Sequence, residues 1–507
     1  MPEKILRQVL SVPVYEIAEQ TPLEKAPLIS QRLRNQVWLK REDLQPVFSF
    51  KLRGAYNRML HLTEEEKQRG IIAASAGNHA QGVAMTASKM GIKATIVMPQ
   101  TTPAIKVNSV RNWGGNAVLF GDTYDEAAAH AEMLREKDNL TYIAPYDDEY
   151  VIAGQGTIAL ELLRQGKDLD VIFVPVGGGG LIAGISAVIK QVSPKTRVVG
   201  VEPEDAACMT EALKAGKRVV LDSVGIFADG VAVAQVGKIP FRIAQTCVDE
   251  MVTVKTDEIC AAVKDIFEDT RAIAEPAGAL ALAGMKKFVE EKGVSDLKMV
   301  AIVSGANMNF DRLRHISERT EIGEKREAIF AVTIPETPGS FKKFCEFLGD
   351  RRAITEFNYR FADSKRAVVF VGVRTEGGFA EKEQLKKQML EAGYQFEDMS
   401  DNEMAKLHLR YMVGGHAPGI KNEILYRFQF PERPGALLQF LIQMSEEWNI
   451  SLFHYRNHGA AYGRVLIGVQ VPPEQEEAFE HYLKNLGYPY DCEQDNIGYD
   501  LFLKPID

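Results

Sequence analysis

The stretch VIFVPVGGGGL, residues 171–181, decides the fold. Its first six residues are apolar and mostly β-branched, and a run this short predicts a buried strand over residues 171–176. Four glycines follow, and Leu181 begins a segment that is expected to be helical. A strand, a glycine turn and a helix in this order are typical of a parallel α/β sheet, in which ligands bind beyond the carboxyl ends of the strands.

The same pattern recurs along the first 323 residues of the chain. Further apolar runs that end at small or turn-forming residues predict strands, and these runs cover residues 71–74, 94–98, 117–120, 198–201 and 299–303. Helical segments separate them, so we expect a mostly parallel sheet that is covered by helices on both faces. Residues 1–323 are therefore assigned to one α/β domain.

Composition restricts the class of protein. The 507 residues are too many for one core and suggest roughly three domains. A net charge of -9 without a basic block argues against a nucleic-acid partner. Five scattered cysteines without a CxxC pair predict reduced thiols, with no disulfide framework and no metal site. No secretory signal and no apolar run of about 20 residues is found, so a soluble, cytoplasmic protein without a membrane partner is expected.

An internal repeat follows the charged stretch 318–327. FAVTIPETPGSFKKFCEFL from Phe330 aligns with YRFQFPERPGALLQFLIQM from Tyr426, at an offset of 96 residues (426 minus 330). At the same offset, ITEFNYR from Ile354 aligns with ISLFHYR from Ile450. Each copy predicts a strand, a Pro-Gly turn, a helix, two strands, a second helix and a last strand, which is the order of a ferredoxin-like unit. We place the two copies at residues 328–401 and 423–495.

Two motifs at predicted strand ends could hold an anion. SAGNHAQG, residues 75–82, opens a helix with small residues, so that consecutive backbone N–H groups can point at a ligand. The tetraglycine lies between a strand and a helix, where backbone without side chains can wrap a phosphate. Taken alone, four glycines also fit a flexible connection, and no dinucleotide or P-loop pattern is present.

Two further motifs contribute reactive side chains. FSFKLRGA, residues 48–55, contains the single amine of Lys51, and SGAN, residues 304–307, contains the hydroxyl of Ser304. A lone lysine is usually a surface residue. The four motifs together supply an amine for a Schiff base, a phosphate cradle, a hydrogen-bonding side chain for a ring oxygen and a hydroxyl for a ring nitrogen. Pyridoxal phosphate requires these groups, so the sequence predicts it as the cofactor.

The four motifs and the duplicated C-terminal half closely resemble the threonine ammonia-lyases (threonine dehydratases) among the fold-type-II pyridoxal-phosphate enzymes. The resemblance implies a tryptophan-synthase-β-like catalytic region and two ACT-like regulatory units. It implies that Lys51 is the catalytic Schiff-base lysine, that Asn78 bonds the ring hydroxyl and that Ser304 faces the ring nitrogen. By the same resemblance the cofactor-binding residues are Phe50, Lys51, Asn78, Gly177, Gly178, Gly179, Gly180, Leu181 and Ser304, and the residues around the substrate are Ser75, Ala76, Gly77 and His79.

The resemblance also implies the activity and its control. L-threonine would lose water by β-elimination and yield 2-oxobutanoate and ammonia, as the first committed step of isoleucine biosynthesis. Isoleucine would act as feedback inhibitor and valine as its antagonist, near the Pro338-Gly339 and Pro434-Gly435 turns and near Tyr359 and Tyr455. A homotetramer is implied as well. Which unit binds which effector stays open, and the two units could instead only build an oligomer interface.

Three alternatives to this interpretation concern the reaction, the activity and the substrate. Serine racemases share the fold, but Ala76 stands where they carry a serine, and Cys208 stands where they carry an acidic residue that binds a divalent cation. A monovalent cation at Glu202 and the Ala206 carbonyl stays open. An amino-acid sensor with an inactive enzyme half is disfavoured by the intact Lys51 and tetraglycine. L-serine is expected as a secondary substrate, because one methyl group changes specificity by only about 10–200-fold.

Overall fold

The computed structural model describes residues 1–310, 312–324, 326–349, 352–362, 364–431, 436–443, 448–456 and 462–505. The chain divides into two compact units, Met1–Gly323 and Glu324–Asp507. Within the described ranges, no helix has the length and apolar character needed to cross a bilayer. The limits given above for the three domains stay predictions.

The strands of the first unit form two sheets. They are β1 (Leu23–Lys25), β2 (Gln36–Arg41), β3 (Ile71–Ala74), β4 (Ala94–Met98), β5 (Asn116–Leu119), β6 (Thr141–Tyr142), β7 (Val171–Pro175), β8 (Arg197–Pro203), β9 (Glu250–Val254) and β10 (Lys298–Val303). One sheet has the order β1-β2-β10-β7-β8-β9 and the other has the order β5-β4-β3-β6. All pairs are parallel except β1 with β2. The mostly parallel fold is thus confirmed.

Helices connect these strands. They are α1 (Pro2–Ser11), α2 (Pro27–Leu33), α3 (Lys51–Leu60), α4 (Glu64–Arg69), α5 (Asn78–Met90), α6 (Ala104–Asn112), α7 (Tyr124–Asp138), α8 (Glu149–Gln165), α9 (Gly180–Val192), α10 (Cys208–Ala215), α11 (Lys238–Cys247), α12 (Thr256–Thr270), α13 (Pro276–Lys292) and α14 (Arg312–Gly323). Every residue of β7 is buried, and so is α9 from Gly180 to Ile189. Burial on all sides explains why this part of the sequence is almost continuously apolar.

A buried ionic cluster fixes the helix that begins at Lys51. Arg53 in α3 is fully buried and lies 2.8 Å from a carboxylate oxygen of Glu42 and 2.7 Å from one of Glu161. The same helix contacts α8 very closely, because a Cβ atom on Gly154 would lie 2.4 Å from the carbonyl oxygen of Arg53. Removing one partner of such a buried pair usually costs about 3–5 kcal/mol. The position of α3 is therefore strongly determined.

The second unit contains an eight-stranded antiparallel sheet in its described residues. Its strands are β11 (Glu327–Pro335), β12 (Ile354–Arg360), β13 (Arg366–Arg374), β14 (Gln395–Asp398), β15 (Glu423–Pro431), β16 (Asn449–Arg456), β17 (Tyr462–Gln470) and β18 (Tyr490–Cys492). Its helices are α15 (Ser340–Leu348), α16 (Gly378–Glu391), α17 (Glu403–Leu407), α18 (Ala436–Gln443), α19 (Glu476–Leu486) and α20 (Ile497–Phe502). The strand order is β14-β11-β13-β12-β16-β17-β15-β18.

Each copy of the repeat supplies four neighbouring strands of that sheet. The order of elements in each copy is strand, helix, two strands, helix and strand, so the predicted ferredoxin-like order is confirmed. The copies join where β12 pairs with β16 in antiparallel register. A buried glutamate, a hydroxyl residue and a glycine recur at the offset of the repeat: Glu327, Thr355 and Gly372 in the first copy, and Glu423, Ser451 and Gly468 in the second.

Candidate active site

Lys51 begins α3 directly after Phe50, at the end of the loop that follows β2. Its Nζ donates a hydrogen bond to the carbonyl oxygen of Pro145 at 3.0 Å and lies 5.4 Å from the centre of the Phe50 ring. Burial lowers the pKa of Lys51 to about 8, and the charge of Glu275 opposes this shift. A larger fraction of the amine is therefore unprotonated near neutral pH than in an ordinary lysine, as a nucleophile or base requires.

The SGAN motif pairs with the loop before Lys51. The N–H of Phe50 donates to the carbonyl oxygen of Ser304 at 3.2 Å, and the N–H of Ala306 donates to the carbonyl oxygen of Phe48 at 2.9 Å. The hydroxyl of Ser304 is buried and donates to the carbonyl oxygen of Ala277 at 3.2 Å. These bonds bring the Ser304 hydroxyl and the Lys51 loop together, as a common site requires.

Asn78 begins α5, and its amide has a partner on each side. Its Nδ2 donates to Oε1 of Glu275 at 2.6 Å, and its Oδ1 accepts from Nδ2 of Asn307 at 2.7 Å. Asn307 also donates to the carbonyl oxygen of Val47 at 2.7 Å. The amide of Asn78 is thus connected to the loop before Lys51 through Asn307.

The tetraglycine connects β7 to α9 and leaves no room for side chains. A Cβ atom on Gly178 would lie 2.3 Å from ring atoms of Tyr146, and one on Gly177 would lie 2.9 Å from Cα of Val231. Gly179 has φ +90°, in the left-handed region that glycine adopts most readily. The first N–H groups of α9 therefore face a loop of bare backbone, which is the arrangement that binds phosphate at helix N-termini.

One short segment links the tetraglycine to the lysine. Pro145 accepts the hydrogen bond from Lys51, and the next residue, Tyr146, packs against Gly178 and Gly180. Together with the Asn78 amide and the Ser304 hydroxyl, these groups match the donor set that pyridoxal phosphate needs. The residues present therefore fit the cofactor. Leu181, the second residue of α9, is buried in the core beside them.

The residues predicted around the substrate follow β3 at its carboxyl end. Ser75 follows the strand, and its hydroxyl accepts from the N–H of Gly77 at 3.3 Å, with Ala76 between them. A Cβ atom on Gly77 would meet no atom within 4 Å, so there is open space above this loop. Nε2 of His79 bonds the carbonyl oxygen of Ile143 at 2.8 Å. Burial and the charge of Lys51 lower the pKa of His79 to about 3, so its ring is neutral at physiological pH. Their substrate role stays a prediction.

The two tyrosines predicted as effector residues lie on the adjacent strands where the copies join. Tyr359 in β12 and Tyr455 in β16 are both buried. The Tyr359 hydroxyl donates to Glu336, whose other carboxylate oxygen accepts from Nδ2 of Asn449 at 2.9 Å. Burial and this hydrogen bond raise the pKa of Tyr359. The bonds connect the first copy to a strand of the second. The Pro434-Gly435 turn lies outside the described residues.

Glu202, the candidate ligand for a monovalent cation, lies in β8 and bonds the first turn of α10. Its carboxylate accepts from the N–H of Met209 at 2.7 Å and from the N–H of Thr210 at 2.9 Å. Burial raises the pKa of Glu202 to about 7. In the described part of the chain, acidic, histidine and cysteine side chains form no group of three or more that could hold a metal ion. The cation at Glu202 stays an open question.

Sequence reasoning missed three residues that contact the predicted site residues, namely Tyr146 against the tetraglycine and Glu275 and Asn307 beside Asn78. It also missed Asp229, whose charge acts on Glu275. Asn307 could have been found, because it belongs to the SGAN motif. Glu275 precedes Pro276, which predicts only the start of a helix. Tyr146 and Asp229 have no recognisable signal in the sequence.

Comparison with known proteins identifies the family. The family of pyridoxal-phosphate dependent enzymes matches residues 14–305, and the C-terminal regulatory domain of threonine dehydratase matches residues 318–409 and 414–503. The biosynthetic L-threonine dehydratase of Escherichia coli is 54% identical over 498 residues, which cover 98% of this chain and 96% of that protein. The chloroplastic biosynthetic threonine dehydratase of Arabidopsis thaliana is 51% identical over 501 residues, which cover 98% of this chain and 84% of that protein.

Solved structures match about three fifths of the chain. The processed form of threonine deaminase isoform 2 from Solanum lycopersicum has a TM-score of 0.62 and 51% identity, and covers 63% of this chain and 93% of that one. Maize serine racemase has a TM-score of 0.58 at 31% identity, and the match covers 62% of this chain and 95% of the racemase chain. Identity is thus much lower to the racemase than to the deaminase, and the regulatory region matches throughout its length. The chain belongs to the pyridoxal-phosphate-dependent enzymes and, within them, to the biosynthetic threonine dehydratases.

Proposed function

We propose that this chain converts L-threonine to 2-oxobutanoate and ammonia, with L-serine as a secondary substrate, and that this reaction commits threonine to isoleucine biosynthesis. The observation that carries the proposal is the buried amine of Lys51, whose pKa is lowered to about 8, next to a helix N-terminus of bare glycine backbone. The near full-length identity with enzymes named biosynthetic L-threonine dehydratases supports the choice of substrate.

The cofactor would be held by groups from four segments. The amine of Lys51 would bond it covalently, and Phe50 would pack beside that bond. The N–H groups of Gly177–Leu181 would bind the phosphate at the start of α9. The Asn78 amide would bond the ring oxygen, and the Ser304 hydroxyl would face the ring nitrogen. When bound, pyridoxal phosphate supplies a carbonyl that condenses with amines and a ring that accepts electrons from the substrate's α-carbon.

The protein's own side chains then perform the proton transfers and the positioning. Small residues and backbone at Ser75–Gly77 would orient the carboxylate of threonine near the start of α5. Lys51, which burial holds partly unprotonated, would remove the proton from the α-carbon. In balance, the proton from the α-carbon and the β-hydroxyl would make up the water that is lost, and one water would then hydrolyse the resulting enamine to 2-oxobutanoate and ammonia. The hydroxyl of Ser304 cannot keep a ring nitrogen protonated as a carboxylate would, and this favours prompt loss of the β-substituent.

The second unit would regulate this reaction in a cytoplasmic homotetramer. Isoleucine would inhibit and valine would oppose it, each by binding one of two states of the protein more tightly. Support comes from the match to a regulatory domain of threonine dehydratase and from the position of Tyr359 and Tyr455 at the junction of the copies. Tyr359 and Asn449 both donate hydrogen bonds to Glu336, so a ligand that binds at this junction would affect contacts of both copies.

The test uses the purified full-length protein. Absorbance should show a visible band from lysine-bound cofactor, and borohydride followed by peptide mapping should place a pyridoxyl group on Lys51. Threonine should release 2-oxo acid, isoleucine should suppress the release and valine should restore it. Lys51→Ala should lose the band and the release, whereas Lys214→Ala, at an exposed lysine of the same unit, should keep both. A Lys51→Ala protein that keeps turnover would refute the assignment.

A further inference from the structure

We propose that Glu275 is a positioning residue that holds the Asn78 amide in one orientation, so that the second N–H of that amide stays available to the cofactor. The inference rests on the proposed function, because Asn78 is expected to bond the ring oxygen of pyridoxal phosphate. Glu275 is the N-cap residue of α13 and lies 197 residues from Asn78 in the sequence. Its role is therefore visible only in the fold.

The orientation follows from the chemistry of the two partners of Asn78. An amide has one acceptor oxygen and an NH₂ group with two donor hydrogens, and Oε1 of a carboxyl group accepts both in the ionised form and when the proton lies on the other oxygen. Glu275 takes one hydrogen of Nδ2 at 2.6 Å, while Asn307 donates its own NH₂ to Oδ1 at 2.7 Å. Rotating the amide by 180° would place oxygen against carboxylate and NH₂ against NH₂. Both contacts are repulsive, so a single orientation results.

Glu275 is itself held in one position. It is 2% exposed, and its N–H donates to the carbonyl oxygen of Gly305 at 3.1 Å. A Cβ atom on Gly305 would lie 2.6 Å from Oε1 of Glu275, and one on Gly230 would lie 3.5 Å from it. Glycines thus provide the space that the carboxyl group fills. Because the carboxyl group is enclosed in this way, it cannot move to follow the Asn78 amide, and the amide takes the orientation that bonds it.

Charges of both signs surround Glu275, with Asp229 on the negative side and Lys51, Lys106 and Arg312 on the positive side. In the described part of the chain it forms no salt bridge, and its side chain bonds Asn78. Burial and, to a smaller extent, the charge of Asp229 raise the pKa of Glu275 to about 7, while the hydrogen bond from Asn78 and the charges of Lys106 and Arg312 oppose the rise. Lys106 lies 2.6 Å from Asp229 and pairs with that residue instead. Buried carboxylates that serve only the fold are usually ion-paired. The absence of such a pair in the described residues indicates a role in the site.

The experiment replaces Glu275 with three residues that separate acceptor, charge and volume. Glu275→Gln keeps the size and an acceptor, Glu275→Met keeps the size without an acceptor, and Glu275→Ala keeps neither. The readouts are the dissociation constant of pyridoxal phosphate, from titration of the apoprotein, and the Tm of the apoprotein. We expect Glu275→Met and Glu275→Ala to bind the cofactor about 10-fold more weakly, and Glu275→Gln to stay within about 3-fold of the wild type.

Two further measurements show whether Glu275 acts through Asn78. In an Asn78→Ala background, Glu275→Met should cause no additional loss of cofactor affinity. The Tm of the Glu275→Gln apoprotein at pH 8 should equal or exceed that of the wild type, because an unfavourable buried charge is removed while an acceptor for the Asn78 amide is kept. Asp265→Asn is the matched control, since Asp265 is a buried carboxylate of the same unit that pairs with Lys286 at 2.6 Å. It should lower Tm and leave cofactor affinity unchanged.

Each contrary result has one meaning. Wild-type affinity in Glu275→Met would show that only volume matters, and a Glu275→Gln protein as weak as Glu275→Ala would show that charge matters rather than the acceptor. If the losses of cofactor affinity caused by Glu275→Met and Asn78→Ala were additive, Glu275 would not act through Asn78. Any of these overturns the inference while the wild-type protein still binds cofactor. A wild-type protein that fails to bind pyridoxal phosphate would instead overturn the proposed function.

Discussion

Replacing Gly178 with alanine tests whether packing against Tyr146 requires a residue without a side chain at this position of the tetraglycine. The added Cβ atom would lie 2.3 Å from Cγ and Cδ1 of the Tyr146 ring and 2.4 Å from Cδ2. Carbon atoms in contact are normally about 3.5 Å apart or more, so the ring would have to move by at least about 1.2 Å. These ring atoms lie near the backbone of Tyr146, so the shift cannot be confined to the end of a flexible side chain.

The magnitude follows from known costs of overpacking. Adding a methyl group to a well-packed site typically costs about 1–3 kcal/mol. For a unit of this size that corresponds to a loss of a few degrees in Tm. Cofactor affinity should fall as well, because Pro145, the neighbour of Tyr146, accepts the hydrogen bond from Lys51. The displaced segment would therefore disturb the amine and the phosphate loop together.

The assay is a double-mutant cycle on the apoprotein, in which the Tm of each variant is measured by differential scanning fluorimetry. Gly178→Ala should lower Tm in the wild-type background and have little effect in a Tyr146→Ala background, where the ring is gone. In the double variant the ring no longer obstructs the methyl group. A cofactor affinity that stays low there would show that the methyl group itself occupies space needed by the phosphate. An equal loss of Tm in both backgrounds, or none in either, would refute the steric reasoning.

Three shorter predictions concern other parts of the protein. Because the folded protein holds a proton on Glu275 up to about pH 7 and the unfolded chain releases it near pH 4.3, the stability of the apoprotein should fall as pH rises between these values. Glu275→Gln should reduce the slope of the unfolding free energy against pH by up to roughly 1.4 kcal/mol per pH unit, and Tm should change less with pH accordingly; an unchanged slope would contradict the assignment. Tyr359→Phe, which removes the hydrogen bond to Glu336, should raise the isoleucine concentration for half-inhibition about 10-fold in an activity assay; unchanged sensitivity would exclude the residue from the effector site. Gly372→Ala should destabilise the second unit by about 1–3 kcal/mol in thermal unfolding, because its Cβ would lie 2.4 Å from Oγ1 of Thr355, and Thr355→Ala should relieve most of the loss.

Local patterns predicted the elements of the fold well. The strand expected over residues 94–98 is found at those residues, and the one expected over 171–176 is found at Val171–Pro175. Short β-branched apolar runs specify buried strands without help from distant residues. The division of the first unit into two sheets did not follow from such runs. It depends on β10 pairing with β2 and β7, and such pairing is decided by packing between segments far apart in the chain.

The candidate site was predicted where its residues follow strands. Ser304 and the tetraglycine follow strands with a clear apolar pattern, so their proximity could be expected from the geometry of parallel sheets. No strand was predicted before Lys51, which begins α3, and its place in the site was predicted from the combination of motifs. Glu275 and Tyr146 act through single contacts with partners that no pattern connects to them. The contact of Glu275 with Asn78 spans 197 residues and involves a side chain that resembles any helix-capping acid in the sequence. Such contacts become visible only when the packing is known.

Two lysines of the first unit show how partners, rather than burial alone, separate a structural amine from a reactive one. Burial lowers the pKa of Lys40 as it does that of Lys51. Nζ of Lys40 donates to the carbonyl oxygen of Thr21 at 2.6 Å, to Glu161 at 2.5 Å and to Gln165 at 3.0 Å. These acceptors use all three hydrogens of an ammonium group and include a negative charge.

Among the described residues, Nζ of Lys51 has one hydrogen-bond acceptor, the neutral carbonyl of Pro145 at 3.0 Å. An ammonium group with a single neutral acceptor is poorly solvated, so loss of its proton costs less there than at Lys40. The neighbouring ionic pairs of Arg53 with Glu42 and Glu161 hold α3 in place without neutralising the amine at its start. Because Glu42 and Glu161 bind Arg53 and Lys40, and Oε1 of Glu275 accepts from Asn78, the amine of Lys51 remains available to react with a carbonyl.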